Sequence, residues 1–148
     1  MNNRIRQEDI GEILKDISKI TNAINDNIDI SSLHIKNRTD VLLEVLIKKN
    51  KNLFNTILKN GFPNNEHKFF LYTHHAVTTG DIYFVKKIFK HYEDYNLNIF
   101  EEDEHKNNAL HIALGMTEKN KEIIDYLKSK NISMKDKNIN GMTPEDLL

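Results

Sequence analysis

A chain of 148 residues with 21 lysines and arginines against 22 aspartates and glutamates has a formal net charge of −1, so no overall field gathers phosphates as in a polybasic nucleic-acid binder. Isoleucine, leucine, valine and phenylalanine fill about 30% of positions, above the roughly 20% at which highly charged chains stay disordered. Five glycines and two prolines are too few for an all-β fold with its frequent turns, so one mostly helical domain is expected.

The first element in chain order is an amphipathic stripe. Ile10, Ile13, Leu14, Ile17, Ile20, Ile24 and Ile28 recur at helical spacing, and Glu8, Asp9 and Glu12 sit in the first turn, where a helix favours negative charge. This predicts a helix over residues 8–28, followed by a connector from Asp29 to Arg38. Val41 to Ile47 reads as a second helix and Lys48 to Asn52 as a polar break. Leu53, Phe54, Ile57 and Leu58 form a third, stopped by Asn60-Gly61 with Pro63 beyond. The phrase then recurs: His74, Ala76 and Val77, a break at Gly80-Asp81, and a stripe of Phe84, Val85, Ile88 and Phe89. It recurs again as Leu110 to Leu114, a break around Gly115, and Ile123, Ile124, Tyr126 and Leu127.

Short helix, tight turn, short helix and loop thus repeat about three times, with His74 to His111 separated by 37 positions and His111 to Thr143 by 32. The stretch Asn138-Ile139-Asn140-Gly141-Met142-Thr143-Pro144 opens a fourth unit, with Thr143 as cap and Pro144 in the first turn.

These residues resemble the ankyrin-repeat family. Gly141-Met142-Thr143-Pro144 is similar to its G-x-T-P opening, and Asn108-Ala109-Leu110-His111-Ile112-Ala113 to its T-P-L-H-x-A with two substitutions. Thr73-His74-His75-Ala76 with Thr79-Gly80-Asp81 resembles the stretch from that histidine through the glycine turn. Leu53 to Gly61 and Tyr126 to Ile132 resemble second helices, with Asn131 at the usual glycine position. The resemblance implies an all-α solenoid: a capping helix at 1–30, then units at about 36–66, 67–103 and 104–137 and a partial one at 138–148. It also implies that His74 and His111 are structural, each bonding into a neighbouring loop. Against a 33-residue period, the loop from His91 to Asn108 carries about four extra residues and Gly115 to Lys121 about two.

Chemistry is sparse. The chain has no cysteine, which removes disulfides, thiolate zinc sites and cysteine nucleophiles. No i, i+4 pair occurs among the seven histidines, so no metal and no cofactor is expected. Phosphate-cradle, nucleophile-elbow and H-E-x-x-H motifs are missing, so an enzyme is not expected. No apolar run nears the ~18 residues that span a bilayer, and the N-terminus opens no signal-peptide core, so the expected location is the cytoplasm, without a membrane partner.

The sharpest charge feature is Glu101-Glu102-Asp103-Glu104, followed by His105. Four consecutive acids in a loop are ordinarily solvated; the sharper reading is a recognition loop facing a basic protein partner. The lysines around Lys48 and Lys86 read as a solvated outer face. The resemblance implies protein binding by a monomer through a concave face, in the manner of an effector, a signalling inhibitor or an immunity protein. It places exposed positions at Lys68 and Phe70, at Glu104, His105, Asn107 and Met116, and at Asn140 and Met142. Two alternatives stay open: a piece of a larger ankyrin protein with a catalytic domain elsewhere, and a small helical hydrolase using the acidic loop.

Overall fold

The computed structural model describes residues 34–35, 39–66, 68 and 70–148, so the helix expected over 1–30 lies outside the described residues. The described part is helical apart from a pair of two-residue strands, and it falls into two compact units that divide after Lys68.

In the first unit, β1 (His34–Ile35) and β2 (Thr39–Asp40) pair antiparallel, a feature that no sequence pattern announces. Helix α1 (Val41–Lys48) buries Val41, Leu42, Leu43, Val45 and Leu46. The polar break expected after it is two residues, Lys49 and Asn50, with Lys49 at φ 53°. Asn50 caps α2 (Lys51–Lys59) by accepting the Leu53 N–H at 3.2 Å. This helix buries Leu53, Phe54 and Ile57 and stops where expected. Gly61 takes φ 86°, and the Phe62 N–H donates back to the Ile57 carbonyl, closing the helix with a left-handed residue.

The second unit repeats that construction twice. Helix α3 (Tyr72–Thr78) packs on α4 (Ile82–Asp94), and α5 (Ala109–Leu114) on α6 (Lys121–Ser129); α3 also packs on α5, and α4 on α6. Phe84, Val85, Ile88, Phe89 and Tyr92 of α4 are buried, and Phe89 meets Tyr126 of α6 edge to face at 5.9 Å. Burying a side chain of this size is worth about 1.5–3 kcal/mol, so α4 supplies much of this core. The helix runs three residues past His91, so the first of the residues expected in a long loop extend a helix instead. Asp81 and Asn120 cap α4 and α6, and the Asn120 side chain donates to the Gly80 carbonyl, tying the two inter-helix turns together.

Equivalent positions recur at 35 residues. Gly61, Asn96 and Asn131 all have positive φ at the ends of α2, α4 and α6, and Phe62, Leu97 and Ile132 after them are all buried. Asparagine tolerates this conformation, as Asn131 was expected to. Asn108 and Thr143 both cap a helix start through a reciprocal capping box, completed by His111 and Asp146. Thr143 is therefore the counterpart of Asn108, and the 32-residue interval from His111 compares non-equivalent positions. Thr143 and Pro144 open a 3-10 helix, η1 (Pro144–Leu147), which packs on α5. Among the described residues, no helix is long and apolar enough to cross a membrane.

The 35-residue equivalence also pairs Lys106, at φ 61°, with Gly141, at φ 76°. A left-handed residue with a Cβ costs about 1 kcal/mol relative to glycine. Lys106→Gly should therefore raise stability by about 0.5–1 kcal/mol in urea unfolding, and Gly141→Ala, which meets no atom within 4 Å, should lower it by about 1 kcal/mol through backbone strain alone.

Candidate functional site

The loop from Phe100 to Asn107 connects α4 to α5, and its first acid does not face solvent. Glu101 is buried, and its Oε2 accepts from the Tyr92 hydroxyl at 2.9 Å, the Thr73 hydroxyl at 2.5 Å and the Thr73 N–H at 3.4 Å. Burial, then the charge of Glu101, holds the Tyr92 phenol far above its ordinary pKa, so it stays a donor. The same phenol oxygen accepts from the Tyr72 N–H. Expected at an exposed acidic tip, Glu101 is corrected here to a buried tether between the loop and α3 and α4. Three donors offset the cost of taking its carboxylate out of water.

The Glu101 carbonyl accepts from His74 Nε2 at 2.9 Å, and the Met142 carbonyl from His111 Nε2 at 2.9 Å. Both histidines are buried, each reaching from the first helix of a pair to the loop after the second.

Beyond Glu101 the chain forms a turn organised by Asp103. Its Oδ1 accepts the N–H groups of His105 and Asn107 at 2.9 and 2.8 Å, and its Oδ2 accepts the Asn107 side chain. Burial pushes the Asp103 carboxyl up, but the donors of Asn107 and His105, with nearby His74, outweigh it and hold the group below the ordinary carboxylate range. Asn138 builds the same turn 35 residues later, accepting the Asn140 and Met142 N–H groups at 3.0 Å. The two turns are joined by Asn138 Nδ2 donating to Asn107 Oδ1 and by the Ile139 N–H donating to the His105 carbonyl.

Between this turn and α3 lies an open cleft of about 460 Å³. Phe70, Leu71 and Ile112 line it with apolar side chains, and the rest of the lining is polar: His74, His75 and Thr78 from α3, and Asp103, Glu104 and His105 from the turn. Because Tyr72, Thr73, Ala76 and Val77 turn inward, Leu71, His75 and Thr78 share the remaining face of α3. His75 is exposed as a residue, yet its ring is desolvated by its surroundings. That desolvation, then neighbouring His74, lowers its pKa against the opposing pull of Glu101.

Of the residues singled out in the sequence, Phe70, Asp103, Glu104 and His105 line this cleft. Glu102 is exposed beside it, and Asn107 is half-buried in the bridge to the next turn. Asn140 and Met142 are exposed on the second turn, and Met116 is half-buried beyond α5, all outside the lining. Lys68 is half-buried and belongs to the first unit. Leu71, His75, Thr78 and Ile112 were not singled out, although the inward set on α3 already left His75 and Thr78 on one outward face.

The six acids between Glu93 and Glu104 do not form one acidic tip. Glu93 pairs with Lys130 at 2.7 Å, Asp94 with Lys90 at 3.0 Å, Glu101 is buried and Asp103 serves its own turn. Only Glu102 and Glu104 stand out as exposed acids of the run. Among the described residues, no three histidines and acids converge as metal ligands. No protein-family model and no curated protein matches the chain.

Glu101→Ala removes the acceptor of two buried hydroxyls and should lower stability by about 3 kcal/mol, measured by urea unfolding; Tyr92→Phe should cost about half as much. Because the folded pKa of Asp103 is depressed, its contribution is complete above the unfolded value of about 3.9 and is lost as pH falls through the folded value. Asp103→Asn preserves the turn, as Asn138 demonstrates, and should make the loss of stability below about pH 4 shallower.

Proposed function

We propose that the chain is a non-enzymatic protein-binding module, an ankyrin-like stack of helix pairs that occludes a protein partner with its loop tips and first helices. The observation that carries this reading is the repeated bond of His74 and His111, each 2.9 Å from the carbonyl oxygen of a following loop. A loop pinned in this way presents its outward side chains with little freedom left to lose, which favours association. Glu102, Glu104, His105, Asn140 and Met142 are the groups so presented, and with half-buried Phe70 before α3 their acidic and apolar character suits a basic partner with an apolar anchor. In this reading the chain acts in the cytoplasm, of its own cell or of a host cell, as an inhibitor, effector or immunity protein.

The test is affinity capture by the intact chain from native extract, with bound proteins quantified by mass spectrometry. Glu102→Lys, Glu104→Lys and Met142→Asp combined should reduce recovery of the specific partner by about tenfold or more, with unchanged thermal unfolding. Equal recovery by the triple variant refutes the proposed face.

A further inference from the structure

We propose that the cleft between α3 and the Asp103 turn seats an extended segment of the partner in which a lysine or arginine lies beside an aliphatic residue. This deepens the binding function proposed above and rests on it. Three observations carry it. The lining holds two carboxylates, Asp103 and Glu104, and no lysine or arginine. The Asp103 carboxylate is fixed by three hydrogen bonds donated from its own turn, so it cannot swing away. Glu104, exposed at the mouth, meets a cation at modest desolvation cost.

The same lining holds the apolar side chains of Phe70, Leu71 and Ile112, so cation and aliphatic group are demanded together. The volume of the cleft, about 460 Å³, matches a short segment of a few side chains, not a folded surface. An acidic segment is disfavoured because it would bring like charge against Asp103 and Glu104.

The experiment uses the full chain and an oriented library of octapeptides, each with one fixed residue and the other positions degenerate. Expected is about tenfold selection of lysine or arginine within two positions of leucine, isoleucine or methionine. In Glu104→Lys the charge preference should turn toward aspartate and glutamate while the aliphatic preference persists; in Ile112→Asp the aliphatic preference should vanish. Far-UV circular dichroism and thermal unfolding of both variants establish that they are folded. Selection of acidic residues, a preference unmoved by Glu104→Lys, or no positional selection at all overturns the cleft proposal. If whole-partner capture still depends on Glu102 and Met142 in that case, protein binding stands and only the cleft falls. If capture is also insensitive to those residues, both fall.

Discussion

His74 and His111 each stand in the first helix of a pair with Nε2 at 2.9 Å from a backbone carbonyl of the loop that follows the second helix. A buried imidazole left without that partner would forfeit the hydration of a polar nitrogen, and a buried carbonyl likewise, so the bond fixes where the loop must pass. Everything outward from that point inherits its position. The Asp103 and Asn138 turns follow directly from the two pinned strands of loop, and the cross-links from Asn138 to Asn107 and from Ile139 to His105 hold one turn against the next.

Glu101 completes the arrangement from the opposite direction. Its carbonyl serves His74, while its carboxylate serves Thr73 on α3 and Tyr92 on α4. One residue thus uses main chain and side chain to tie the loop to both helices of the preceding pair. The consequence for electrostatics is a redistribution of a run that looks uniform in sequence. Glu101 is buried, Glu102 and Glu104 are exposed, and Asp103 between them lines the cleft, so the negative charge left at the surface is that of Glu102 and Glu104.

The parts of this arrangement legible in the sequence are those encoded within a few residues. The helix stop at Gly61, the left-handed Asn131, the caps at Thr143 and Pro144 and the inward stripe of α4 each follow from local backbone preference or helical periodicity. The bonds made by His74 and His111 were legible through the repeat resemblance, since nothing next to either residue names its acceptor. The inward turn of Glu101 was not legible, because its three donors come from Thr73, 28 positions earlier, and Tyr92, nine positions earlier. Sequence neighbours offer only three more acids, of which Glu102 and Glu104 are exposed and Asp103 serves its own turn. The cleft itself was not legible: Phe70, Asp103, Glu104 and His105 were read as separate exposed positions, and His75 and Thr78 join them only when Tyr72 and Thr73 are known to face inward.

The uniform interval between helix stops has a bearing on how such a chain changes length. The residue pairs Gly61-Phe62, Asn96-Leu97 and Asn131-Ile132 share a left-handed backbone followed by a buried apolar side chain. The helix starts are not so evenly placed: Asp81 and Asn120, which cap the second helices, lie 39 positions apart, and the slack resides in the turn after Gly115. The segment from Leu97 to Asn131 therefore spans one full interval between equivalent helix stops. The inter-helix turns instead vary in length without moving the helix stops. Constant spacing and variable length thus occupy separate segments of the same polypeptide.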